Sequence, residues 1–141
     1  MKGSILIFIS LLILLSSCDK KKQIDKRISG NWSIDLYEFA NTQGFSTVFE
    51  SSGEIVISEI SNSEGTYSIN SSYSDGTIQF EKYENGTITI GIDGESFSLD
   101  RQDADGSSFL IEDGNIEFIN KTQLVIKFTD EYGANKYVLS K

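Results

Sequence analysis

"ITIGIDGESFSL", residues 88–99, carries the decision about fold. Ile88, Ile90 and Ile92 alternate with small or polar residues, and Phe97 and Leu99 do the same after a gap that contains Asp93-Gly94. A period of two puts every second side chain on one face of a strand, and β-branched and aromatic residues suit such a half-buried surface. Asp-Gly accepts the positive φ angles of a tight hairpin. Two strands joined by so few residues must run antiparallel, because a parallel crossover needs a dozen residues or more.

The same pattern extends in both directions. Alternating runs occur at Trp32-Ile34-Leu36, Ile55-Ile57, Tyr67-Ile69, Ile78-Phe80, Ile116-Phe118 and Leu124-Ile126-Phe128. Asp75-Gly76, Asn85-Gly86, Asp105-Gly106 and Asp113-Gly114 read as further turns. The body from Ile28 to Lys141 has the size of one domain, has no proline and shows no composition shift. These features predict an all-β antiparallel meander of about eight to ten strands, a sheet that hides its edges by closing into a barrel. A short turn of helix is expected at Ile24 to Ser29.

The first residues belong to a different class. Ile5 to Leu15 is apolar except for Ser10 and follows a single charge at Lys2. Such a run is too short for a transmembrane helix and has the layout of an export signal. Leu15-Ser16-Ser17-Cys18 resembles the lipobox of bacterial lipoproteins. That resemblance implies a signal peptide over 1–17, with Cys18 as the lipidated N-terminus, carrying diacylglycerol and palmitate. It also implies a protein held on a bilayer of the cell envelope, the outer membrane being the expected one, because two or more acyl chains anchor stably. Cys18 is the chain's one cysteine, so no intramolecular disulfide can form.

Residues 18–27 then read as a basic tether, with Lys20, Lys21, Lys22, Lys26 and Arg27, or as a plain solvated linker. From Ile28 onward six basic residues face nineteen acidic ones, a net charge of −13. A body this acidic is repelled by nucleic acid, which is therefore not an expected partner.

"ISGNWSIDLYEF", residues 28–39, is similar to the opening strand of lipocalin-like domains, in which Gly-x-Trp, here Gly30-Asn31-Trp32, plugs one end of a small barrel. "FESSGEIVIS" and "EGTYSIN" resemble the next strands of the lipocalin-like lipoproteins of Bacteroidota, and "TQLVIKFTDEYGANKYVLSK" resembles their closing hairpin. The resemblance implies a calycin-type barrel over 28–141.

Catalysis is not expected. With no histidine and a lipidated thiol, imidazole acid–base chemistry, thiol nucleophiles and ordinary zinc sites are closed, and no serine sits in an activating pattern. No cofactor is expected. "RQDADGSSFLIE", residues 101–112, can be laid on a Ca²⁺ loop with Asp103, Asp105 and Glu112 as ligands, but Arg101 stands at the first ligand position. An acidic hairpin turn is the preferred reading.

Two function classes remain open. One is a lipid-anchored barrel holding a small hydrophobic molecule, with walls drawn from Trp32, Leu36, Phe80, Ile90, Phe97, Phe118 and Phe128. The other is an accessory module with a filled barrel whose outer face meets another envelope protein. Interior volume discriminates between them.

Overall fold

A computed structural model describes residues 20–102 and 108–141, the side chains of 108–111 excepted. A helix, α1, spans 20–28. It is followed by β1 (Gly30–Asn41), β2 (Ser46–Ile57), β3 (Glu64–Ser74), β4 (Gln79–Ile90), β5 (Ser96–Gln102), β6 (Ser108–Ile119), β7 (Gln123–Thr129) and β8 (Gly133–Ser140). Each strand pairs antiparallel with the next, and β1 closes on β8, with Ile34 opposite Leu139 and Tyr37 opposite Tyr137. The barrel is therefore a closed eight-stranded meander, as the alternation predicts.

Asx chemistry makes most of the turns. Asp93 Oδ1 accepts the backbone N–H groups of Glu95 and Ser96, and Asp75, Asn120, Asp130 and Asn41 each accept two N–H groups in the same way. The N–H groups of Ile78 and Thr77 take the Asp75 carboxyl, and those of Ser96 and Glu95 the Asp93 carboxyl, below the usual carboxylate range. Ile92 falls in the 91–95 turn and not in a strand, which leaves it 87% exposed. Ile78 is likewise a turn residue and exposed.

Two of the expected turns are strand interiors. Asn85-Gly86 lies within β4 and Asp113-Gly114 within β6. Both glycines face inward beneath an aromatic ring. A Cβ on Gly86 would lie 2.1 Å from the Asp100 carbonyl oxygen and 3.0 Å from the Tyr67 ring, and one on Gly114 would lie 2.4 Å from the Phe97 ring. Tyr67 is the cross-strand partner of Gly86, and Phe97 that of Gly114. Glycine here gives the ring room to lie across the sheet, a device that also helps a sheet coil into a small barrel.

Two bulges reset the inward phase. In β1 the pairing with β8 slips between Ile34 and Leu36, so Asp35 is the extra residue. Trp32 and Ile34 point inward before it, and Tyr37 points inward after it. Leu36, expected in the interior, is only half-buried. In β6 the pairing with β7 slips between Ile116 and Phe118, and Phe118 is turned outward and 47% exposed. One extra residue moves every later side chain to the other face.

The segment expected as a tether is helical from residue 20. Ile24 and Ile28, one helical turn apart, bury against the barrel end, with Ile24 beside Gly94. Lys20 pairs with Glu95, and Lys21 bonds to the Ser63 hydroxyl. This helix and Trp32 close one end of the barrel. Trp32 is fully buried, its indole N–H donates to the Ile28 carbonyl at 2.7 Å, and Lys141 Nζ lies 4.0 Å from the ring centroid.

Candidate functional site

The barrel interior has two unlike halves. Next to the helix, Ile28, Ile55, Ile57, Ile69, Ile88, Phe97, Leu99, Ile126 and Phe128 surround a residual space of only about 10 Å³. That is at most the room of one water, and its lining is apolar, so this half is a packed core.

Toward the other end the inward residues change character. Along β4 they run Ile90, Ile88, Gly86, Glu84, Lys82, Phe80; along β5, Phe97, Leu99, Arg101; along β6, Ile116, Gly114, Glu112. Alternation thus delivers two buried carboxylates and two cations to one level. Arg101 Nη2 bridges them, 2.9 Å from Glu84 Oε2 and 2.8 Å from Glu112 Oε1. Lys82 Nζ lies 3.3 Å from Glu84 Oε2, and the Tyr67 hydroxyl donates to Glu84 Oε1 at 2.7 Å. Glu84 is therefore held by three donors. Glu112 is held through one oxygen only: Oε2 is buried with no hydrogen-bond partner among the described residues.

Burial pushes the Glu112 carboxyl above the usual range, the nearby Glu84 and Asp130 charges act in the same direction, and Arg101 opposes them without cancelling them. The Tyr67 phenol is raised by burial and by Glu84, and Tyr37 by burial and by Tyr73 and Asp130. Both phenols stay protonated and serve as donors.

Above this ionic floor an open cleft of about 390 Å³ is lined by Tyr37, Phe39, Phe49, Phe80, Lys82, Arg101, Glu112, Asp130, Tyr132 and Asn135. Its aromatic walls are mutually packed. Tyr37 stacks on Phe49 at 5.4 Å between centroids, Phe49 meets Phe80 edge-on at 5.5 Å, and Tyr73 lies 5.1 Å from Phe80. The Tyr37 hydroxyl donates to Asn135 Oδ1 at 2.8 Å, and Asn135 Nδ2 donates to Asp130 Oδ2 at 2.9 Å. Rings locked by stacking and by buried hydrogen bonds form a pre-organised wall.

Of the residues expected to line a ligand space, Phe80 alone is in the cleft, 38% exposed at its mouth. Trp32, Ile90, Phe97 and Phe128 are inward but belong to the packed half. Leu36 and Phe118 are displaced by the bulges. Asp103 and Asp105 lie outside the described residues. Glu112 is 2% exposed and paired with Arg101, so the first and last positions of the imagined Ca²⁺ loop neutralise each other inside the barrel. Among the described residues no three acidic, histidine or cysteine side chains gather to hold a metal.

No family model and no curated protein matches the chain. Among solved structures it is similar to a de novo designed fluorescence-activating β-barrel (15% identity, 82% of this chain and 94% of that one, TM-score 0.53). It is also similar to a redesigned β-barrel (16% identity, 83% and 93%, TM-score 0.54). At these identities the likeness is one of fold.

Proposed function

We propose that the protein is a lipid-anchored, lipocalin-like lipoprotein of the cell envelope that binds a small, largely apolar molecule in the open mouth of its barrel, without catalysing its conversion. The observation that carries this reading is the cleft over the ionic floor. It has the volume of a small-molecule site, aromatic walls and a few convergent polar groups, at the open end of a barrel whose other half is packed.

The anchor supports a definite orientation. Cys18 lies two residues before the described start of α1, a span of at most about 7 Å. The helix-plugged end, with Lys22 and Lys26 exposed, then faces the bilayer, and the mouth opens away from it.

Two measurements test the reading. Equilibrium dialysis of 2-phenylethanol against the full chain should show saturable one-to-one binding, weakened roughly tenfold or more by Phe80→Asp, which sets a charge in the apolar wall. Binding that does not saturate, or that is indifferent to Phe80→Asp, removes the cleft from consideration. Cys18→Ala should move the protein from the membrane fraction to the soluble fraction, and a variant that still sediments with membranes would refute the lipid anchor.

A second reading has its own observation. Phe45, Val48, Ile78 and Tyr132 are exposed around the mouth, which supports contact with another envelope protein at the rim. In that case Phe45→Ser and Ile78→Ser would abolish co-purification of the partner and leave 2-phenylethanol binding unchanged.

A further inference from the structure

Among the described groups around the cleft floor, three carboxylates, Glu84, Glu112 and Asp130, stand against two cations, Lys82 and Arg101. Both cations already face carboxylates: Arg101 bridges Glu84 and Glu112, and Lys82 sits on Glu84. One negative charge remains in excess. It has a definite address, because Glu112 lines the cleft, is only 2% exposed, and has Oε2 without a hydrogen-bond partner among the described residues. A buried carboxylate oxygen left unmatched carries an uncompensated desolvation penalty until a donor reaches it.

Resting on the mouth-binding reading above, we propose that the cleft selects an organic ammonium ion with a flat apolar body, its N–H donating to Glu112 Oε2. The surroundings favour this class. The ammonium completes the charge balance of the floor, and the aromatic lining above it, in which Phe80 is the most exposed of the packed rings, accepts an apolar hydrocarbon body. An anionic ligand of the same shape would have to displace Glu84 or Glu112 from Arg101 while facing Asp130. A neutral ligand would leave the excess charge in place.

The test is a ranking of three probes of one shape against the full chain by calorimetry: 2-phenylethylammonium, 2-phenylethanol and 3-phenylpropionate. The ammonium should bind roughly tenfold or more tightly than the alcohol, and the propionate most weakly. In Glu112→Gln the ammonium should fall to the affinity of the alcohol, whose own binding stays within about threefold and shows that the cleft is intact. Asp130→Asn, which removes the excess charge but not the unmatched oxygen, should reduce the preference without abolishing it, and a preference lost altogether in that variant would overturn the role of Glu112 Oε2.

Equal or better binding of the alcohol or the propionate overturns the ammonium assignment while leaving the cleft as a binding site. A preference that persists in Glu112→Gln overturns the role of Glu112. Failure of all three probes to bind removes the mouth-binding reading itself. Where Glu112→Gln does not fold, Glu112→Asp draws the oxygen back by one methylene; an undiminished preference in that variant also overturns the role.

Discussion

Trp32→Ala is expected to lower the free energy of unfolding by about 3 to 5 kcal/mol, the usual cost of truncating a buried large aromatic side chain. Trp32, carried by β1, has no exposed surface, and its site cannot collapse easily, because the ring is held between the end of α1 and Lys141. The loss exceeds that of the ring alone. The indole N–H satisfies the Ile28 carbonyl at the end of α1, and Lys141, stacked over the ring, donates to the carbonyls of Arg27 (3.2 Å) and Ser29 (2.7 Å). These are the carbonyls that a helix C-terminus leaves without intrahelical partners. Removing the indole therefore loosens the cap of the helix that closes the barrel. Urea unfolding of the full chain measures it, and Trp32→Phe, which keeps most of the ring but not the donor, should lose only about 1 to 2 kcal/mol. A loss below about 1 kcal/mol for Trp32→Ala would mean that the barrel end is not held by the indole.

The packed half was legible in the sequence because its inward residues obey a two-residue period with apolar members: Ile88-Ile90, Phe97-Leu99 and Leu124-Ile126-Phe128. The mouth was not, because there the same period continues with charges. Stepping back by twos from Ile88 gives Gly86, Glu84, Lys82 and Phe80; forward from Leu99 gives Arg101; back from Ile116 gives Gly114 and Glu112. Continuing the phase through the charged positions would have placed all four ions inside the barrel, with opposite signs on neighbouring strands. A hydrophobic pattern ends where charge begins, so such residues read as surface. The bulges were hidden for another reason. Asp35 and Glu117 each sit where alternation already expects a polar residue, and only the pairing with the neighbouring strand shows that they are extra. Helix α1 was half visible: Ile24 and Ile28 have helical spacing, but the lysine-rich composition between Asp19 and Arg27 is equally that of a linker.

Arg101→Ala should be about as damaging as loss of the tryptophan, also about 3 to 5 kcal/mol, because breaking a buried ion pair from one side leaves uncompensated charge. Here one guanidinium serves two carboxylates, and the side chains of Glu84 and Glu112 are only 5% and 1% exposed. Glu84 keeps Tyr67 and Lys82, whereas Glu112 keeps no partner among the described residues, so Glu112 carries most of the penalty. The variant has a pH signature. Without Arg101 the Glu112 carboxyl, already raised by burial, rises further above its unfolded value. A folded-state value above the unfolded one means that the folded state takes up the proton first as pH falls, so the deficit is largest at neutral pH and shrinks as acid is added. If the charge and not the shape of the arginine is what matters, Arg101→Met combined with Glu84→Gln and Glu112→Gln should recover most of the stability, since replacing a whole buried ionic group is often neutral. Urea unfolding of the parent, the single variant and the triple variant at neutral and mildly acidic pH decides it. A deficit in Arg101→Ala that is independent of pH and persists in the triple variant would place the arginine's contribution in packing of its alkyl stem, not in the charges at the floor of the mouth.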